Sequence, residues 1–119
     1  MLSKNNRVRK KKDIERIFKK GKSFRKDFLV LKTTKNDLSA IRFAFIVSQK
    51  ISKKANIRNK IKRKLREIVR LKMKLLKPGT DNLFITLPGI EKIEKRRFKD
   101  IEETIEKLFK KAKIIKNDD

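Results

Sequence analysis

Apolar residues recur along this chain with two different periods, which separates helical segments from extended ones. Apolar positions three or four residues apart predict helices, whereas short runs rich in β-branched and aromatic residues predict strands. The predicted helices span residues 13–20, 57–77 and 94–113, and the predicted strands span residues 23–24, 28–34, 42–48 and 83–87. This order of elements, αβββαβα, predicts an α+β fold in the form of a single-layer α/β sandwich.

Local signals define the ends and the buried faces of these elements. Asp13 is a candidate cap or first-turn acid of the first helix, and Gly21 is expected to end that helix in a left-handed conformation. Pro78 and Gly79 are expected to stop the second helix. The apolar stripes of the last two helices are Ile57, Ile61, Leu65, Ile68, Leu75 and Leu76, and then Phe98, Ile101, Ile105, Leu108, Phe109 and Ala112.

Composition narrows the possible chemistry. The 119 residues contain no Cys and no His, so a thiolate nucleophile, an imidazole base, a disulfide framework and a zinc site are all excluded. The sequence contains no apolar run of the roughly 20 residues that span a bilayer, and its start has no apolar core of a signal peptide. We therefore expect a cytoplasmic protein with one domain over residues 1–119, a flexible basic N-terminus over about residues 1–10 and a frayed tail over residues 116–119.

Charge is the most unusual property of the sequence, because 38 Lys and Arg oppose only 14 Asp and Glu, for a net charge of +24. Counting by segment gives 14 − 4 = +10 for residues 1–37, 14 − 1 = +13 for residues 38–80, and 10 − 9 = +1 for residues 81–119. An ordinary soluble surface mixes both signs, as the last third does. The excess of positive charge in the first two thirds of the chain favours a surface that binds a polyanion.

The central basic segment holds the most concentrated charge. At 100° per residue, Asn59, Arg63, Arg66 and Arg70 form one ridge opposite the apolar stripe of the second helix, with Arg58 and Lys62 at its margin. Like charges four residues apart repel each other by a few tenths of a kcal/mol, whereas RNA phosphates would neutralise them. The alternative is a solvated helix face with no ligand.

These residues resemble a motif of the protein subunit of bacterial ribonuclease P. The motif is represented here by Ser48-Gln49-Lys50, then Arg58-Asn59-Lys60-Ile61-Lys62-Arg63, then Arg66. Asn6-Arg7-Val8-Arg9, the first helix with Phe18 and Gly21, and Arg42-Phe43-Ala44-Phe45 also match the layout of the family, so the resemblance covers nearly the whole chain. The departures are Gln49 in place of the usual Lys, Lys60 in place of Arg, and Ile14 in place of an aromatic residue.

The resemblance implies a non-catalytic protein subunit of an RNA-based endonuclease that removes the 5′ leader of precursor tRNA. It implies that the RNA holds the catalytic Mg²⁺ ions, that one protein binds each RNA without a further protein partner, and that the βαβ unit has a left-handed crossover. The residues expected to contact the catalytic RNA are Lys53, Lys54, Arg58, Asn59, Lys60, Lys62, Arg63, Arg66 and Arg70. A cleft between the first helix and the sheet is expected to hold the leader, with Arg7, Arg9, Ile14, Phe18 and Lys50 as its residues.

Three alternatives stay open at this stage. Phe18 could pack on the sheet with Ile14 and Ile17 instead of binding RNA. The whole chain could be a structural protein that binds ribosomal RNA, since its size, charge and order of elements fit that class equally well. A basic protein that binds anionic membranes fits less well, because the chain has no Trp and its apolar stripes are expected to be buried.

Overall fold

The computed structural model describes residues 2–89 and 98–116, and it contains the predicted elements in the predicted order. The helices are α1 (Lys11–Lys20), α2 (Ala55–Lys72) and α3 (Phe98–Lys111), and the strands are β1 (Lys22–Lys26), β2 (Leu29–Lys35), β3 (Arg42–Ile46) and β4 (Thr80–Thr86). Short 3₁₀ helices occur at Lys4–Asn6 and Met73–Leu75. The α+β class is confirmed; residues 94–97 of the predicted last helix lie outside the described residues.

The four strands form one sheet in the order β1-β2-β4-β3. β2 pairs antiparallel with both β1 and β4, whereas β3 and β4 are parallel. A parallel pair needs a crossover connection, and α2 provides it, so β3, α2 and β4 form the βαβ unit. Its left-handed sense stays an expectation of the resemblance.

Side chains alternate between the two faces of the sheet, and helices cover both faces. Leu31, Phe43 and Phe84 point into the larger core, which also contains the buried residues of α2 and α3. Leu83 and Ala44 point the other way and pack against Ile17 of α1. β3 is therefore covered on both faces.

The helix stripes are largely as predicted, with two errors, one in α2 and one in the 3₁₀ helix that follows it. Ile61, Leu65, Ile68 and Leu76 are buried and Ile57 is partly buried, but Leu75 is exposed and the buried Val69 was missed. In α3 the residues Ile101, Ile105, Leu108 and Phe109 are buried and Ala112 is partly buried, while the side chain of Phe98 lies outside the described residues.

Gly21 does end α1, but the predicted left-handed conformation is wrong. Its φ of −71° and ψ of 143° are those of extended backbone, which any residue can adopt. Glycine is needed instead because a Cβ atom would lie 2.5 Å from the carbonyl oxygen of Ile17. Close approach between the helix end and the start of β1 therefore explains this residue.

The second helix ends five residues earlier than predicted, because the chain after it pairs with a distant segment. Leu76 forms an isolated antiparallel bridge with Ile115, and the amide of Lys77 donates to the carbonyl of Ile114 at 2.8 Å. The amide of Lys116 donates to the carbonyl of Leu75 at 2.7 Å. The first residue of the predicted frayed tail is thus hydrogen-bonded, and residues 117–119 lie outside the described residues.

The described part of the N-terminal segment is packed against the sheet, in a region where the sequence predicted a flexible start over about residues 1–10. Leu2 and Val8 are buried. The amide of Val8 donates to the carbonyl of Phe43 at 2.8 Å, and the side-chain amide of Asn6 donates to the carbonyl of Ile41 at 2.8 Å. This segment covers the outer edge of β3, an edge that would otherwise present unpaired backbone groups.

A buried carboxylate fastens α1 to the sheet. Asp81 is fully buried, and it accepts two hydrogen bonds from Arg42, at 2.8 and 2.7 Å, and one from Asn36 at 2.9 Å. Arg16 of α1 also donates to it. Burial alone would raise the pKa of Asp81, but the hydrogen bonds from Arg42 and Asn36 and the charges of both arginines hold it below its ordinary value.

Candidate nucleic-acid interface

The solvent-facing side of α2 carries part of the predicted ridge. Asn59, Lys60 and Arg63 are exposed, and the Nε atom of Arg63 donates to the carbonyl of Asn59 at 3.5 Å. Arg70 differs, since its Nε atom donates to Glu67 at 3.0 Å. The hydrogen bond from Arg70 lowers the pKa of Glu67 and raises that of Arg70, so this pair stays ionised. Charge that could meet a phosphate is therefore concentrated at the N-terminal half of the helix.

Arg66 does not stand on the outer ridge as predicted. Its guanidinium carbon lies 6.0 Å from the ring centroid of Phe45 in β3, a cation–π arrangement. Arg58, Lys62 and Arg66 are spaced by four residues and are all half-buried, so they line the flank of α2. The structure thus divides the predicted ridge into an outer face and this flank.

The flank of α2 leads into a cavity at the outer edge of β3, which we name the β3-edge cavity. It has a volume of about 340 Å³ and lies between the N-terminal segment, α1, β3 and α2. No acidic residue lines it. Its lining comprises the cations Lys4, Arg7, Arg9 and Arg66 and the apolar residues Leu2, Val8, Ile14, Phe43, Ala44 and Phe45.

Arg7 is held rigidly at this cavity. Its Nε and Nη2 atoms donate to the carbonyl of Leu2 at 2.9 and 2.7 Å. Arg9 is exposed at the rim. A guanidinium fixed by two hydrogen bonds, three further cations and an apolar floor form a surface that suits a phosphate next to a base or a sugar.

The residues predicted for the leader cleft are not brought together. Arg7, Arg9 and Ile14 line the β3-edge cavity, which they share with Arg66 from the other predicted set. Phe18 lies near the far end of α1, where the Nζ atom of Lys32 is 5.4 Å from its ring centroid. Lys50 is exposed in the turn after β3. Because Phe18 is 44% exposed, the alternative that it packs in the core is wrong.

A second surface, missed by the sequence reasoning, lies on the α1 face of the sheet. The strand register aligns one residue from each strand across this face: Arg25, Val30, Ile85 and Ile46. The row is only partly covered, since Arg25 is exposed and the three apolar residues are half-buried. We name this row, together with Phe18 and Lys32 beside it, the open strip.

The loop between β3 and α2 joins these surfaces. The Nη1 atom of Arg58 donates to the carbonyl of Ser52 at 2.9 Å, which ties the loop to the first turn of the helix. Lys53 and Lys54 are exposed on this loop. Since β3 ends at Ile46, the loop that carries Lys50 leaves the sheet beside the open strip.

Within residues 2–89 and 98–116, no group of three or more acidic side chains is arranged so that it could hold a metal ion. None of the helices in this part of the chain combines the length and the apolar character that a membrane span requires.

Comparison with known proteins assigns the chain and its fold to a family. The sequence profile of the family described as Ribonuclease P matches residues 2–113, nearly the whole chain. The chain belongs to the ribonuclease P protein family. Among its relatives, the ribonuclease P protein component of Clostridium botulinum strain 657 is 37% identical over 112 residues, which cover 93% of this chain and 97% of that protein. The corresponding protein of Fusobacterium nucleatum is 33% identical over 111 residues, which cover 92% and 99%.

Solved structures of ribonuclease P proteins have the same fold. The protein from Thermotoga maritima, solved with a bound thiourea compound, matches with a TM-score of 0.79 at 33% identity over 86% of this chain and 95% of that chain. The protein from Staphylococcus aureus matches with a TM-score of 0.79 at 29% identity over 93% and 98%. In this ribonuclease P protein, the motif residues 58–66 lie within α2, and Arg66 at their end lines the β3-edge cavity together with cations of the N-terminal segment.

Proposed function

We propose that this chain is the protein subunit of ribonuclease P. In this proposal the outer face of α2, its flank and the β3-edge cavity bind the catalytic RNA, and the open strip binds the 5′ leader of precursor tRNA. The subunit assists the endonucleolytic removal of the leader and carries no catalytic side chain of its own.

The observation that carries the proposal is the basic surface that runs from α2 into the β3-edge cavity, whose lining contains no acidic residue. Four cations line a cavity of about 340 Å³ without a carboxylate to neutralise them. Leaving such a cluster unneutralised destabilises the free protein, and a polyanion that binds it gains affinity from the release of counterions. Family membership and this surface together support RNA as the polyanion.

The open strip has the composition that sequence-tolerant binding of a single strand requires. Phe18 offers an exposed ring on which a base can stack, and Lys32 lies beside it to meet the backbone. Val30, Ile85 and Ile46 form an apolar floor, and Arg25 adds a cation at the β1 end. No base-specific pattern of donors and acceptors is needed for such a contact, which suits leaders of many sequences.

The proposal assigns the catalytic Mg²⁺ ions to the RNA, as the family resemblance implies. The chain contributes by neutralising phosphates, which lowers the Mg²⁺ concentration that the assembled complex needs. One protein for each RNA and no further protein partner are part of the proposal. Because bacterial precursor tRNA is processed in the cytoplasm, the proposal also makes this a cytoplasmic protein.

Reconstitution tests the proposal directly. A bacterial ribonuclease P RNA is incubated with precursor tRNA at low Mg²⁺, with and without the purified chain, and leader removal is followed by gel electrophoresis. We expect strong stimulation by the chain and none by lysozyme, a basic protein of similar size. No stimulation, combined with tight binding to a ribosomal RNA fragment, would favour the structural ribosomal-type alternative instead.

A further inference from the structure

On the face of the sheet that α1 covers, side chains form three successive rows across β2, β4 and β3. The strand register places these residues in the first two rows: Thr34, Asp81 and Arg42, then Lys32, Leu83 and Ala44. The third row is that of the open strip. Successive rows are about 7 Å apart, because residues on one face of a strand are two positions apart. α1 contacts the first two rows and leaves the third only partly covered.

Three consecutive residues of α1 correspond to these three rows. Arg16 donates to Asp81 in the first row, and Ile17 is buried against Leu83 in the second row. Successive residues of a helix are about 100° apart, so Arg16 and Phe18 lie on opposite flanks of Ile17. Because the flank of Arg16 meets the first row, the flank of Phe18 is turned towards the third row, which belongs to the open strip.

The apolar contacts of α1 do not fix its rotation about its own axis. Ile17 is the one buried residue among the ten of α1, all of which the structure describes, and Ile14 adds a partly buried contact. Residues three apart lie on the same face of a helix, so these two contacts form one line along it. No side-chain hydrogen bond from Lys10 caps the start of α1. A rotation about the line of contact would displace Phe18 relative to the open strip.

Arg16 provides the restraint that these apolar contacts lack. One of its terminal nitrogens, Nη2, donates to Asp81 of β4, and the other, Nη1, donates to the carbonyl of Lys35 of β2 at 2.9 Å. Asp81 is a fixed acceptor, since it is fully buried and Arg42 holds both of its oxygens at 2.8 and 2.7 Å. Arg16 therefore ties one flank of α1 to two strands of the sheet.

Loss of the Arg16 side chain would leave the buried carboxylate paired. Asp81 would keep its two hydrogen bonds from Arg42 and the one from Asn36 at 2.9 Å. The high cost of breaking a buried ion pair arises when a charge is left without a partner. Removal of Arg16 should therefore cost less stability than removal of Asp81, so its effect on α1 can be measured in a folded protein.

We propose that Arg16 is a positioning residue for leader binding. By its contacts with Asp81 and the carbonyl of Lys35, it fixes the rotation of α1 and so holds the ring of Phe18 beside the open strip. Arg16 acts through Phe18 and makes no contact with the leader itself. The inference rests on the proposed function, because it requires that the open strip binds the leader.

Matched substitutions on α1 test the effect on the leader. Arg16→Met removes the guanidinium and keeps an unbranched side chain of good helix propensity, and Lys12→Met makes the same kind of change at an exposed position of the same helix that does not line the β3-edge cavity. The assembled complex is titrated with precursor and mature tRNA. Arg16→Met should reduce the preference for precursor tRNA about fivefold, the low end for one stacked base, and Lys12→Met should leave it unchanged. Arg16→Lys, which can still donate to Asp81, should restore most of the preference.

A double-mutant cycle shows whether Arg16 acts through Phe18. If it does, Arg16→Met/Phe18→Ala should lose no more preference for precursor tRNA than Phe18→Ala alone, because residues that act together are not additive. A further fivefold loss in the double variant would mean that Arg16 acts independently of the ring, which contradicts the inference.

The position of the ring is also measured without RNA. The Nζ atom of Lys32 lies 5.4 Å from the ring centroid of Phe18, so nuclear Overhauser effects are expected between these two side chains in the free protein. They should weaken in Arg16→Met and persist in Lys12→Met. Effects of unchanged strength in Arg16→Met would show that the ring has not moved, and the inference would fall.

The tRNA titration separates this inference from the proposed function. A wild-type complex that prefers precursor tRNA, together with an Arg16→Met complex that keeps the same preference, overturns the inference and leaves the proposed function intact. A wild-type complex without any such preference overturns the proposed leader site, and the inference falls with it.

Discussion

Two groups of arginines in this chain differ in what neutralises them. Arg16 and Arg42 converge on the buried carboxylate of Asp81, and hydrogen bonding to Asp81, opposed by burial, raises the pKa of Arg42 above its ordinary value. Arg9, Arg63 and Arg66 form no ion pair within the described residues and lie at the β3-edge cavity or on α2. The first group holds the fold together, and the second is left for a partner. Positive charge is therefore available to a partner only where no carboxylate of the protein pairs with it.

Removing the carboxylate of Asp81, which Arg16 and Arg42 share, should have the largest effect, a loss of stability. Asp81→Ala leaves Arg16 and Arg42 without their buried partner, and we expect it to lower the free energy of unfolding by about 3 kcal/mol. This value is at the low end for buried pairs because both arginines are partly exposed. Urea denaturation followed by circular dichroism measures it. Arg9→Ala is the control, with an expected change within about 0.5 kcal/mol; a loss below 1 kcal/mol for Asp81→Ala would contradict the structural role of the first group.

The lowered pKa of Asp81 predicts that the stability this carboxylate contributes decreases at acid pH. Because the pKa of Asp81 is lowered in the folded state, its contribution is fully present above the ordinary carboxyl value of 3.8 and is lost as the pH falls through the folded value. The stability difference between the wild type and Asp81→Ala should therefore be constant above about pH 5 and shrink below about pH 4. Urea midpoints measured across this range check it. A difference that grows towards acid pH would contradict the assigned shift.

Substitution of Phe18 should have a smaller effect, on leader binding and not on folding. Truncation to alanine should weaken the preference for precursor tRNA over mature tRNA by about 1 kcal/mol, the low end for one stacked base. Leu38→Ala is the matched control, since Leu38 is 49% exposed but lies away from the open strip. The assembled complex is titrated with both tRNA forms. An unchanged preference in Phe18→Ala would remove this ring from the leader site.

Small anions should produce the smallest effect. Sulfate at millimolar concentration should occupy the unneutralised cations and stabilise the fold by about 1 kcal/mol or less, depending on its affinity. Thermal unfolding in sulfate and in chloride at equal ionic strength measures the difference. Equal unfolding midpoints in both salts would show that Arg9, Arg63 and Arg66, the arginines without an ion pair, do not destabilise the free protein.

The local parts of this fold could be predicted from the sequence. The stripe of Ile61, Leu65 and Ile68 follows from helical periodicity, and the motif around Arg58 and Asn59 identified the family that the comparisons confirm. Both are short-range patterns, so they are visible without knowledge of the tertiary structure.

The missed features all depend on contacts between distant residues. Nothing in the local sequence shows that Arg7 pairs with Phe43, or that Leu76 meets Ile115 and shortens α2. The open strip depends on the register of four strands, which sets Val30 beside Ile85. The sharing of one cavity by Arg66 and the N-terminal cations also required the structure, since the sequence assigned them to separate RNA contacts.

We propose that the arginines without a carboxylate partner bind the catalytic RNA. The most direct test is the salt dependence of RNA affinity for Arg63→Ala/Arg66→Ala, compared with Lys107→Ala/Lys110→Ala as a control of equal charge. The arginine variant should reduce the log–log slope by about 1.4 to 1.8, or 0.7 to 0.9 for each lost phosphate contact, while the control should leave it nearly unchanged. Equal slopes in the two variants would show that Arg63 and Arg66 make no phosphate contact.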